Sequence, residues 1–253
     1  MIARRTIVCL GTSQLICWGI SFYLIGVFGE LIVADLGWSR TLVYGGFSLA
    51  LVVMGLVSPI VGRLIDRVGG SPVMSAGSVL CAAGCAGLAV AETLVAYYAA
   101  WICLGLAMRS TLYDAAFASL ARIGGPEARR PIAQITLLGG LASTCFWPIG
   151  HLLAEAFGWR GALLVYAGFA LLTLPLHLAI PGARHQDNAS PEQMRRLPSL
   201  ALRRHDRTIA ALLYATIVTL TNGLNSGRSA HMIGVLTELG LGAGLAVSVS
   251  SLR

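Results

Sequence analysis

Apolar runs of about twenty residues alternate with short polar links along the chain. The runs fall at about 7–29, 42–62, 72–91, 94–118, 132–154, 161–180 and 208–231. The links are 30–41, 63–71, 92–93, 119–131, 155–160 and 181–207. A helix rises about 1.5 Å per residue, so about 20 residues cross a hydrocarbon layer of about 30 Å. The pattern predicts an all-α polytopic membrane protein with seven spans. An eighth apolar run begins near Gly242 and stops at Arg253. That is too short to cross, and the expectation is a chain cut off inside its eighth span. Arg4 and Arg5 before the first run resemble a signal peptide. The run 7–29 is too long for one and lacks a small-x-small cleavage site, so it reads as a retained helix.

Composition strengthens this reading. Hydrophobic residues make up 56% of the chain, charged ones only 11%, and mean hydropathy is +0.76. Soluble domains carry about a quarter charged residues. The net charge is +7, and every basic residue is Arg. These arginines sit in links between apolar runs, which is the membrane pattern rather than a nucleic-acid patch. No nucleic-acid partner is expected; the expected partners are the lipid bilayer and a small-molecule cargo. The six cysteines lie inside apolar runs and read as packing residues. Cys81 and Cys85 share a helix face but have no further ligand beside them, so no metal is expected. There is no Gly-x-x-x-x-Gly-Lys loop, hence no ATP site, and no cofactor is expected.

Charge orients the spans. With a cytoplasmic N-terminus, inside segments carry thirteen arginines, among them Arg63, Arg67, Arg122, Arg129 and Arg130. The outside loops carry only Arg40 and Arg160. The positive-inside rule therefore predicts a multi-pass protein of the plasma (inner) membrane, with the N-terminus and the 181–207 link cytoplasmic. The layout reads as a six-helix N-terminal bundle (1–180), a connector (181–207) and the start of a second bundle (208–253). A shift of 203 residues lays Asp35-Leu36-Gly37 on Glu238-Leu239-Gly240 and span one on span seven. Such parallel repeats are a transporter feature.

The link after span two reads Gly62-Arg63-Leu64-Ile65-Asp66-Arg67-Val68-Gly69-Gly70. Gly62 is expected to let the chain leave the helix. Gly69 and Gly70 are expected to supply positive φ, and Pro72 suits a helix's first turn. Asp66 does little for topology and needs a partner. The pattern Gly62-x-Leu64-x-Asp66-Arg67-x-Gly69 resembles the signature loop of the major facilitator superfamily. The resemblance implies that Asp66 meets the positive end of a helix in the other half and closes the cytoplasmic side. Gly70 and Ser71 stand where the family usually has basic residues. Leu112-Tyr113-Asp114-Ala115-Ala116-Phe117 and Phe157-Gly158-Trp159-Arg160-Gly161 are similar to bacterial members, near the monocarboxylate and organic-anion porters. The implied function is secondary transport, by symport or antiport, with alternating access.

Charges inside a membrane face protein or water-filled cavities. Arg109 lies within span four, and Trp101, Gly105, Arg109 and Tyr113 recur at i+4 on one face. An Arg beside a Tyr can hold a carboxylate in a bidentate fork. Arg109 also resembles the Arg of the family's span-four motif, with Tyr113 in place of the usual Gly. The plainer readings are a structural pair with Asp114 or a snorkelling side chain. Asp114 reads either as a proton carrier or as a gate residue bonded to Arg63 or Arg67, with the gate preferred. In span seven, Thr221, Asn225 and Arg228 form one polar stripe, and Gly223 and Gly227 are expected to loosen the helix. Arg228 reads equally as an interfacial residue. Gln14, Trp18 and Ser21 in span one, and Thr136, Gly140, Ser143 and Trp147 in span five, are milder cavity candidates. His151 and His177 read as packing residues.

Two rival classes stand beside transport. Ser226-Gly227 faintly resembles an intramembrane serine-protease loop, but no His partner is placed and there is no His-Glu-x-x-His motif. The chain is therefore expected not to be an enzyme. The other rival is an inactive fragment, or a half that needs a second chain to supply a missing C-terminal half.

Overall fold

The computed structural model describes residues 2–185 and 204–240, and every element among them is helical. Span one consists of α1 (Arg4–Cys17), a π-helical turn (Trp18–Phe22) and α2 (Leu24–Leu36). Spans two and three are α3 (Arg40–Val68) and α4 (Gly70–Ala89). Span four is split into α5 (Leu94–Thr111) and α6 (Tyr113–Gly124). A 3-10 turn (Gly125–Ala128) leads to α7 (Arg129–Gly140) and α8 (Ala142–Leu178). The last element, α9, is Arg204–Glu238. Among the described residues, four helical stretches are long and apolar enough to cross a membrane: Arg4–Leu36, Arg40–Val68, Gly70–Ala89 and Leu94–Leu178. The last is 85 residues long, and it turns back on itself at two glycines. Gly125 has φ 50° and Gly158, inside α8, has φ 69°. Those turns separate spans four, five and six, so the described helices form an all-α polytopic membrane bundle.

The caps follow the local sequence. Ser39 and Thr93 sit at N-caps, and each side chain accepts from the third residue on, Leu42 N and Ala96 N. Gly37 closes α2 with φ 66°. Its counterpart under the 203-residue shift, Gly240, has φ 91° just past the end of α9. The two helices therefore end alike.

The small residues of α4 let it pack at the centre, chiefly against α5 and α8. A methyl group at Gly77 would lie 2.6 Å from Thr111 Cγ2, and one at Gly84 would lie 2.7 Å from Leu104 Cγ. The core is completed by Ile20, Phe28, Trp101, Trp147 and Tyr166. By contrast α3 carries an exposed apolar row at Val52, Leu56 and Ile60. Arginines clasp both ends of the bundle. Arg160 Nη1 donates to the Ala89 and Ala91 carbonyls at the end of α4, at 2.8 and 3.3 Å, and Trp159 Nε1 donates to Asp35 Oδ2 at 3.2 Å. At the other end Arg122 Nε donates to the Asp66 carbonyl at 3.3 Å. Its Nη1 donates to the Gly182 and Ala183 carbonyls, tying the start of the 181–207 connector to the end of α3.

Several local expectations are corrected. Gly62 does not end span two; α3 runs on to Val68, because Gly62 continues a helix whose Val61 and Ile65 still face the core. Only Gly69 takes positive φ, with φ 95° and ψ 168°, whereas Gly70 already belongs to α4. Pro72 does fall in the first turn of α4. The 119–131 link is mostly helical rather than open. Gly223 and Gly227 do not interrupt α9. Helical hydrogen bonding tolerates isolated glycines, and the break appears instead in span one.

Residues with φ near +95° and ψ near 168° are essentially glycine-only. Gly69→Ala is therefore expected to cost about 1–3 kcal/mol and to lower the midpoint of thermal unfolding in detergent. A methyl at Gly62 meets nothing within 4 Å. Gly62→Ala in the same measurement should leave the midpoint unchanged or raise it.

Candidate functional site

Span four breaks at Leu112, whose φ of −77° and ψ of −172° are extended rather than helical. A break inside a membrane frees carbonyls that lipid cannot satisfy. Here Gln14 Nε2, fully buried on α1, donates to the Thr111 carbonyl at 2.7 Å. The Thr111 and Ser110 hydroxyls donate back to the Ala107 and Leu106 carbonyls, each at 2.8 Å. The end of α5 is thus closed by side chains.

Two charges face each other across the break. Arg109 lies in the last turn of α5 and Asp114 in the first turn of α6. Each stands at the helix end whose dipole favours its sign. Arg109 Nη1 meets Asp114 Oδ2 at 2.5 Å. The guanidinium side is 16% exposed and the carboxylate 59%, so the pair opens outward through the acid. Among the described residues the Arg109 Nε, Gln14 Oε1 and Trp18 Nε1 atoms are buried without a hydrogen-bond partner. A buried unpaired polar atom costs about 1–3 kcal/mol, and three such atoms along the break are what a polar guest or water would satisfy.

Aromatic rings wall the site. Trp18 lies in the π-helical turn, where Tyr23 N reaches back to the Trp18 carbonyl at 3.2 Å. Such turns are frequent at functional sites. Trp18 packs on Tyr113 with centroids 5.0 Å apart, and Tyr113 stacks on Phe117 at 5.2 Å. Tyr113 Oη donates to the Thr136 carbonyl at 2.9 Å, linking α6 to α7. Tyr23 bridges Trp18 and Trp147, at 6.3 and 6.5 Å.

The structure therefore brings Gln14, Trp18, Arg109, Tyr113 and Asp114 together. The expected single face through Trp101, Gly105, Arg109 and Tyr113 does not exist, because the break at Leu112 interrupts the helical register. Trp101 is fully buried, and Gly105 lies against the α3 backbone at Ala50. Asp114 is bonded to Arg109 rather than to Arg63 or Arg67. The gating set Gly62, Leu64, Asp66, Arg67 and Gly69 lies elsewhere, at the Arg122 end of α6. The eight residues from Asp114 to Arg122 amount to about 12 Å of helix. Asp66, Arg67 and Leu64 are exposed there. Helix α9 runs beside α2, and His231 stacks on Tyr44 at 4.6 Å. The side chains of Asn225 and Arg228 lie outside the described residues. Sequence reasoning missed Thr111, Tyr23 and Arg122; the first two were polar positions inside apolar runs, and Arg122 was counted only for its charge.

The chain has relatives among known proteins. The family model for the Major Facilitator Superfamily matches residues 10–252. The chain belongs to the Major Facilitator Superfamily. Its curated relatives include a monocarboxylate transporter and multidrug resistance proteins. Mouse monocarboxylate transporter 3 is 34% identical over 128 residues, covering 49% of this chain and 25% of the mouse protein. Multidrug resistance protein MdtL of Escherichia coli K12 is 30% identical over 189 residues, covering 70% of this chain and 46% of that protein. MdtL of Shigella flexneri is 31% identical over 167 residues, covering 64% and 41%. The chain thus spans less than half the length of these superfamily relatives.

The capped break sets a stability test for this Major Facilitator chain. Gln14→Leu keeps the side chain's bulk and removes the donor to Thr111. It is expected to destabilise the bundle by about 1–3 kcal/mol, read as a lower thermal midpoint in detergent with the helical circular-dichroism spectrum retained.

Proposed function

We propose that the protein is a secondary active transporter that moves a small organic solute by alternating access. Residues 1–180 would form the N-terminal bundle, 181–207 the cytoplasmic connector and 208–253 the start of the second bundle. The observation that carries this reading is the Arg109–Asp114 pair across the break of span four. A guanidinium held by one carboxylate can exchange that partner for a carboxylate on cargo. An organic anion is therefore favoured, and the monocarboxylate relative agrees with that choice. The same reading assigns proton coupling to this pair, with Asp114 as the acid that faces the cargo arginine across the break. The membrane-transporter family and the names of the relatives favour a non-enzymatic protein over an intramembrane protease.

The positive-inside count supports a cytoplasmic N-terminus and connector, and the bacterial MdtL relatives favour the plasma (inner) membrane. In this reading Asp66 and Arg67 close the cytoplasmic side against the second bundle. Asn225 and Arg228 are read as further cargo or coupling candidates, on the strength of the 203-residue repeat in the sequence. In this reading, alternating access is a rocking of the first bundle against a second one.

Flux of a labelled monocarboxylate such as lactate into proteoliposomes, under an imposed proton gradient, tests the proposal on the full-length protein. Arg109→Ala is expected to lower flux by about tenfold to a hundredfold, the worth of one charged hydrogen-bonded contact. Asp114→Asn should uncouple flux from the gradient. Parental flux in Arg109→Ala would contradict the cargo assignment, and activity indifferent to the gradient would favour the enzyme class.

A further inference from the structure

The arginine-bearing end of the bundle carries a second feature, separate from the transport site. The first turns of α1 and α7 diverge around an open slot of about 690 Å³. Ile2, Ile7 and Pro131 give it an apolar wall, and Arg4, Arg129 and Arg130 stand on the same wall. All three arginines are exposed, and none makes a hydrogen bond or ion pair with a described residue. Glu127 is the only acid on the wall, so the slot is net positive.

Its level relative to the bilayer follows from the helices. Both α1 and α7 begin spans, so their first turns stand where those spans enter the polar–apolar boundary. Deeper along the same helices, Val8 and Leu137 are 62% and 75% exposed. Unpaired arginines therefore stand over outward-facing aliphatic side chains. That order, cation above hydrocarbon, matches a phosphate headgroup above its acyl chain. Two other arginines at this end are engaged, while Arg5, Arg67 and Arg184 are exposed but do not line this slot. Arg122 is spent on three carbonyls, and Arg63 Nε donates to the Pro59 carbonyl at 3.0 Å beside a slot of only about 200 Å³.

We propose that the slot binds one anionic phospholipid, its phosphate on Arg4, Arg129 and Arg130 and the start of an acyl chain along Ile2, Ile7 and Pro131. The assignment needs only the membrane bundle, so it stands or falls independently of the cargo.

Native mass spectrometry of the delipidated protein tests it, with phosphatidylglycerol, phosphatidylcholine or inorganic phosphate added separately. Phosphatidylglycerol is expected to be retained about tenfold better than phosphatidylcholine, and Arg129→Ala/Arg130→Ala should abolish that preference. The charge-matched control Arg63→Ala/Arg184→Ala should keep it. Arg129→Lys/Arg130→Lys should also keep it, which separates loss of charge from loss of fold. Ile7→Trp, which fills the slot and leaves every charge in place, should weaken retention. Equal retention of the two lipids would overturn the proposal, as would equal loss in the control pair. So would an Ile7→Trp variant that binds like its parent, or full displacement of the lipid by inorganic phosphate.

Discussion

A hydrocarbon layer offers no partner to an unpaired carbonyl, so a helix can break inside it only where the protein supplies one. In this chain the supplier is Gln14, whose amide donates to the Thr111 carbonyl from a neighbouring span. Much of the site's geometry follows from that bond. It lets α5 stop at Thr111 and α6 restart at Tyr113, which brings a basic last turn and an acidic first turn face to face. On an unbroken helix Arg109 and Asp114, five residues apart, would point to different sides. The break converts two costly charges into one neutralised pair, with the acid open to the outside of the bundle.

The clasps at the two ends follow the same rule. Helix ends leave carbonyls without partners, and arginine fills that role at both. Arg160 takes the end of α4, and Arg122 takes the end of α3 together with the first residues of the connector. Arg122 thereby joins the Asp66 loop to Gly182 and Ala183 at the start of the link. The clasps tie the helices end to end and leave the Asp66 side chain exposed.

Much of this was legible in the sequence. The order of the spans followed from run lengths, because a bilayer fixes how many helical residues must be apolar, although helices such as α3 run on past the apolar stretch. The 203-residue repeat aligned Gly37 with Gly240, and the structure shows both at helix ends with positive φ. Gln14, Trp18, Arg109, Tyr113 and Asp114 stood out as polar or amphipathic groups in apolar runs. The break itself was not visible. Leu112 is a good helix former, and nothing local marks it; the break depends on Gln14, 97 residues away in sequence from Thr111. The π-helical turn at Trp18–Phe22 was hidden for the same reason, being held by packing against Tyr113 and Trp147 through Tyr23. The glycines of span seven pointed the other way, yet α9 is continuous. Gly62 misled because a glycine near a helix end resembles a terminator until the buried positions beside it are known.

Hydrogen–deuterium exchange on the protein in nanodiscs tests most directly whether the broken spans line an aqueous cavity. Backbone amides of residues 110–116 and 17–23 should exchange markedly faster than those of 76–86 in the middle of α4, which is sealed against α5 and α8. Protection at the two breaks as strong as that of α4 would mean that they are closed inside an apolar core, and that the Arg109–Asp114 pair is a structural brace rather than a site.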